Sequence, residues 1–151
     1  MANADFIGGY SLWVDDEGYL NHTYQFLGID TYKQRSTKPI PTGDVSVAML
    51  FEVDEPKPGS GGHVTLVANG EEIGEGYIPK TVAQLYTTYA AMDIGRDNRG
   101  VVDLDYEDRA PYAFTGTVKE VVFDLQPGSL QEEMDLHRHA STQAVGQSAS
   151  G

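Results

Sequence analysis

The sequence predicts an all-β fold, an antiparallel β-sandwich, and three observations carry the prediction. Apolar residues recur at every second position in several short runs, most cleanly at Val45, Val47, Met49, Phe51 and Val53. Turn formers punctuate those runs, with 17 Gly and 7 Pro in 151 residues and an Asn69-Gly70 pair between two strand-like stretches. Nine Tyr and few helical stripes complete the pattern, since aromatic and β-branched residues suit a pleated, half-buried surface.

Taken in order, Tyr10–Val14 is the first strand candidate, followed by a turn at Asp15–Gly18. In Tyr19–Phe26, Leu20, His22, Tyr24 and Phe26 alternate with Tyr19, Asn21, Thr23 and Gln25, which predicts a second strand. Ile29–Ser36 is a third, and the basic residues Lys33, Arg35 and Lys38 suit a solvated face or an edge strand protected by charge, ahead of contact with an anionic ligand. Pro39 and Pro41 break the chain before a turn at Thr42–Asp44. Val45–Val53 is the cleanest strand, and Asp54–Gly62 is a loop by its Pro and Gly content.

His63–Ala68, Asn69-Gly70 and Glu71–Tyr77 spell a hairpin, because a two-residue turn needs positive φ at both central positions. His63 reads as a strand-face histidine, with no partner at recognisable ligand spacing. Thr81–Met92 is ambiguous: Val82, Leu85, Tyr86 and Tyr89 have helical spacing in a segment rich in β-formers. Val118–Leu125 predicts a strand with Val121, Phe123 and Leu125 on one face. These segments make one sandwich domain over residues 1–128. Ser129 and Glu132 then suit a capping box for a short C-terminal helix before a flexible tail, which together fill 129–151. His137 and His139 lie two apart there, a poor spacing for a helical metal pair.

Composition excludes several functions. With no Cys there are no disulfides, no thiolate catalysis and no Cys-based zinc site. A net charge of −13 repels phosphates, so neither nucleic acid nor an anionic membrane is an expected partner. No apolar run approaches the roughly 20 residues of a membrane span. The opening MANADFIGGY has neither a basic nor an apolar block, so no signal peptide is expected in this chain.

Five segments align in order with a known pattern: GGYSLWV (8–14), YQFLGIDTYKQRSTKPIPTGDVSVAMLFEVD (24–54), GGHVTLVANGEEIGEGYIPKTV (61–82), DIGRDNRGVV (93–102) and YAFTGTVKEVVFDL (112–125). Over residues 8–125 the chain resembles the C-terminal region of a group of bacterial arylsulfatases. That resemblance implies a concanavalin-like, jelly-roll sandwich and favours strand for Thr81–Met92. Sulfatase chemistry requires a Cys or Ser in a Cys/Ser-x-Pro/Ala-x-Arg setting. The chain has no Cys, and the nearest serine, Ser46 in Ser-Val-Ala-Met-Leu, lacks the Arg. The resemblance therefore implies a non-catalytic accessory or interaction domain. The face that would rest on a sulfatase catalytic domain would be covered by homo-oligomerisation, by the 129–140 helix, or by polar substitution.

The densest chemistry lies between Asp93 and Asp108, with six carboxylates: Asp93, Asp97, Asp103, Asp105, Glu107 and Asp108. Calcium favours clustered oxygens on flexible loops, which makes Asp93, Asp97 and Asn98 its candidate ligands. A jelly roll can also bind glycans on aromatic side chains, for which Trp13, Tyr106 and Tyr112 are the candidates. Asp103, Asp105 and Glu107 alternate, so on a strand they would share one face. That arrangement approximates the Glu-x-Asp-x-x-Glu strand of some jelly-roll glycosidases as Asp103-x-Asp105-x-x-Asp108.

Overall fold

A computed structural model describes residues 1–83, 86, 90–98 and 100–124. Those residues form eight strands: β1 (Ala2–Ala4), β2 (Gly9–Val14), β3 (Tyr19–Phe26), β4 (Asp30–Pro39), β5 (Val47–Val53), β6 (Gly62–Ala68), β7 (Glu71–Ile78) and β8 (Met92–Asp93). A 3-10 helix follows at Leu104–Arg109. The strands form two antiparallel sheets, a five-stranded one in the order β4-β3-β2-β1-β8 and a three-stranded one in the order β5-β6-β7. The fold is an all-β sandwich. Among the described residues no helix is long and apolar enough to cross a membrane.

Strand alternation decides what each face buries. In β3, Leu20, His22 and Tyr24 point between the sheets, where Leu20 and Tyr24 join Val64, Leu66, Ile73 and Ile78 in the core. The intervening Asn21, Thr23 and Gln25 point to the outer face and are buried too. The central strands of the larger sheet are therefore covered on both sides, which a two-layer sandwich does not by itself provide. β4 closes one end of that sheet and packs against β7, where Thr37 donates to the Ile73 carbonyl at 3.1 Å.

The turns obey their residues. Asn69 and Gly70 take φ of 51° and 80°, as the two-residue hairpin requires. Asp15 receives the Glu17 and Tyr19 amides at 3.0 and 2.9 Å, which fixes the turn between β2 and β3. Gly9 serves a close approach: an added Cβ would lie 2.3 Å from the Asn3 carbonyl oxygen and 2.8 Å from the Asp5 amide nitrogen. It allows β1 to fold back on β2 through a loop in which Asp5 caps the Ile7 amide at 2.8 Å.

Several sequence expectations are corrected. Val118–Leu125 is not a strand over its described part: residues 118–124 join no sheet, and Val118, Val122 and Phe123 are exposed. Strand propensity there finds no ladder partner among the described residues. Ile29–Ser36 is displaced to Asp30–Pro39, running through Pro39, which an edge strand tolerates. Val45–Val53 shortens to Val47–Val53, with Val45 packed against the core from outside the ladder. Within Thr81–Met92, the described residues contribute only Met92 to a strand. β1 is not expected from the sequence, since Ala-Asn-Ala holds no strong β-former; it pairs with β2 and β8, and Ala4 at its end already has a φ of 64°. The C-terminal helix and tail, with His137 and His139, lie outside the described residues.

His22 is fully buried between the sheets; its Nδ1 bonds Gln34 Oε1 at 2.7 Å and its Nε2 has no partner among the described residues. Burial pushes its pKa below the ordinary 6.5, and the Gln34 bond only partly opposes this. Above about pH 6.5 the ring is neutral in folded and unfolded chains alike. As pH falls below that value the unfolded chain takes up a proton that the folded one refuses, so stability declines until the depressed folded pKa is reached. Urea midpoints measured from pH 8 down to pH 5 should therefore fall, and His22→Leu should flatten the slope between about pH 6.5 and 5. Gly9→Ala should lower stability by about 2–4 kcal/mol in urea unfolding, because the new methyl meets backbone rather than a movable side chain.

Candidate functional site

The acidic stretch lies across the outer face of β2 and β3. Those strands present Ser11, Trp13, Asn21, Thr23 and Gln25 there, a polar surface that cannot bury apolar chain without hydrogen bonds. The chain from Asp97 to Tyr112 supplies them. Gln25 Nε2 donates to the Val102 carbonyl at 2.8 Å, while Val101, Val102 and Tyr106 fill the space between.

Asp103 is the centre of the contact and is 0% exposed. Its Oδ2 accepts from Thr23 Oγ1 at 2.5 Å, and its Oδ1 accepts from Lys33 Nζ at 2.6 Å and from the Asp105 amide at 2.9 Å. The last bond is an N-cap: Asp103, extended at φ −111° and ψ 121°, starts the 3-10 helix. Lys33 reaches Asp105 as well, at 2.6 Å. Burial lowers the Lys33 pKa, but its bonds to the two carboxylates outweigh this and hold it above the ordinary lysine value.

A second buried acid supports the first. Asp97 Oδ2 accepts from the Val102 amide at 2.8 Å and the Tyr106 hydroxyl at 2.7 Å. Burial raises its pKa, the nearby Asp93 charge adds to the rise, and the two donors oppose it. Burial also pushes the Tyr106 phenol far above its usual range, with the Asp97 carboxylate contributing. The Tyr106 oxygen in turn accepts the Asp103 amide at 3.4 Å, closing a reciprocal cap.

The three candidate ligand-binding aromatics do converge. Trp13 meets Tyr106 edge-on at 5.0 Å and Tyr112 at 5.7 Å, and the two tyrosines stack at 4.6 Å. Tyr106 is buried, whereas Trp13 and Tyr112 are half-buried. Their polar ends are spent on the fold: Trp13 Nε1 donates to Thr23 Oγ1 at 3.3 Å, and the Tyr112 hydroxyl donates to the Val14 carbonyl at 2.9 Å. Arg109 covers Tyr112 and holds both oxygens of Asp16 at 2.6 and 2.7 Å, tying the end of the 3-10 helix to the turn between β2 and β3.

The candidate calcium ligands are arranged differently. Asp93 accepts the Asn98 amide at 2.9 Å and its side-chain Nδ2 at 2.8 Å, so these two bond each other, while Asp97 faces Tyr106. Among the described residues no group of three or more His, Cys, Asp or Glu is placed to hold a metal ion. The alternation of Asp103, Asp105 and Glu107 on one strand face is overturned. Asp103 is a helix cap, and Asp105, Glu107 and Asp108 lie within a 3-10 helix, where a period of two places nothing on one side.

Sequence reasoning missed Thr23, Gln25 and Lys33 as partners of the acidic stretch, since 80, 77 and 70 residues separate them from their bonds. The one available signal was the polar outer face of β3. No protein-family model, curated protein or solved structure matches this chain.

The geometry separates the two acids that share Lys33. Asp103→Asn, which removes a buried charge bonded to three donors, should cost about 2–4 kcal/mol. Asp105, with a side chain 63% exposed, should cost under about 1 kcal/mol when changed to Asn. Urea denaturation of both variants at neutral pH checks the ordering.

Proposed function

We propose that the chain is a non-catalytic accessory or interaction module, the role its resemblance to the C-terminal region of bacterial arylsulfatases suggests. The observation that carries this reading is the position of Asp103. A carboxylate that works as nucleophile or general acid must reach a substrate atom. Asp103 instead has no exposed surface, and both of its oxygens are occupied by Thr23, Lys33 and the Asp105 amide. The densest acidic chemistry of the chain thus supports the outer layer of the sandwich. Apolar surface, by contrast, is left bare on β5 and along Phe114–Phe123, as suits a domain whose work is contact.

A glycan-binding role is a second reading, favoured by the half-buried Trp13 and Tyr112 beside Arg109. Aromatic rings edged by a charged group are common in sugar sites, and calcium at Asp93, Asp97 and Asn98 would require the Asp93–Asn98 bonds to open.

A panel of polysaccharides and a glycan array, each run with and without calcium, tests both. The module reading expects neither hydrolysis nor retention. Hydrolysis abolished by Asp105→Asn overturns it in favour of an enzyme, and retention lost in Trp13→Ala overturns it in favour of glycan binding.

A further inference from the structure

A two-sheet sandwich has four edges, and an open edge offers unpaired N–H and C=O groups to any other strand. Three are managed here. β4 carries Lys33, Arg35 and Lys38 and ends at Pro39, β8 is two residues long, and β7 packs against β4. β5 is different. It is the last strand of its sheet, and its register with β6 runs without a bulge from Val47 to Val53. It contains no Lys, Arg or Pro. Its exposed side chains include Leu50 at 56%, Phe51 at 36% and Val53 at 48%. No described residue pairs with its outer edge.

We propose that β5 pairs antiparallel with β5 of a second copy of this chain, joining the two three-stranded sheets into one of six strands across a two-fold axis. This rests on the interaction-module reading and names its partner. The composition of the strand singles out the copy. Leu50 is the central residue of the seven, and an axis there sets Leu50 against its mate, Met49 against Phe51, Val47 against Val53, and Ala48 against Glu52. Each exposed apolar residue of β5 gains an apolar partner. Val47 and Met49 already contact the core, so the pairs with Phe51 and Val53 would carry that core across the axis. The only charge, Glu52, meets Ala48 rather than its own mate, so no like charges are directly opposed. The contact is isologous and closes at two copies, which keeps an otherwise sticky edge from propagating.

The test uses the full chain at physiological salt, where the −13 charge of each copy is screened beyond about 8 Å. Sedimentation and light scattering from micromolar to submillimolar concentration should show a monomer–dimer equilibrium. Leu50→Lys sets two ammonium groups against each other at the axis and should weaken association at least about tenfold with an unchanged melting curve. Because the chain has no Cys, Leu50→Cys supplies a second, independent reading. Antiparallel partners have Cα atoms about 4.5–5.5 Å apart, within reach of a disulfide, so mild oxidation should give a covalent dimer. Ile29→Cys, 73% exposed in another part of the fold, should remain monomeric on the same treatment. A monomer throughout the concentration range overturns the proposal. So does a dimer that survives Leu50→Lys and is not captured by Leu50→Cys, though it would leave the interaction-module reading standing. That reading is overturned separately, by hydrolysis or glycan retention.

Discussion

The structure depends on the burial of one carboxylate. The central strands of the larger sheet have two faces, and the smaller sheet covers only one. The other is covered by irregular chain, whose backbone has no ladder to satisfy it and must find its partners individually. Asp103 is where that problem is solved. Thr23 and Lys33 reach it from the sheet, the Asp105 amide reaches it from the next turn, and the cap it forms starts the 3-10 helix that carries Tyr106 inward. The buried charge is tolerated because three donors, one of them an ammonium, surround it. With any of them removed, its desolvation would be uncompensated. Trp13, Tyr106 and Tyr112 then form a small aromatic core between this layer and the sheet.

This arrangement changes what the acidity means. Of 23 acidic residues, most contribute to a general negative field. A few are constructional: Asp15 shapes a turn, Asp97 and Asp103 hold the outer layer, and Asp93 bonds Asn98. Dense acidic sequence is thus used here, at Asp97 and Asp103, to bond one layer of the fold to another.

The sandwich was largely legible because its signals are local. Period two in Tyr19–Phe26 and Val47–Val53, and Asn69-Gly70 in the hairpin, each follow from residues within a few positions of one another. An edge strand is one of the readings the basic residues of β4 allow, and β4 is an edge. The site was legible only in part. Trp13, Tyr106 and Tyr112 were singled out and do meet, but their polar atoms bond the fold. Asp103, Asp105 and Glu107 satisfy strand alternation, yet an Asp followed by acids within one turn is equally a helix start, and the cap prevailed. Over its described residues, 118–124, the strand expected at Val118–Leu125 failed for the opposite reason. Its propensity was right for a strand, but a strand exists only where a neighbour supplies the ladder.

That unpaired segment also bears on which partner suits β5. Residues 118–124 would be the obvious intramolecular strand to lay along it, and Lys119 already bonds Asp44, just before β5 begins. The bond holds Lys119 at the N-terminal end of β5. An antiparallel neighbour that set Val121 beside Met49 and Phe123 beside Val47 would need Lys119 beside Phe51 instead. At about 3.4 Å per residue, the seven residues from Asp44 to Phe51 separate those two positions by roughly 24 Å. That pairing would break the exposed Lys119–Asp44 ion pair, a cost of under about 1 kcal/mol. A second β5 meets no such conflict, since its register follows from symmetry and asks nothing of the rest of the fold.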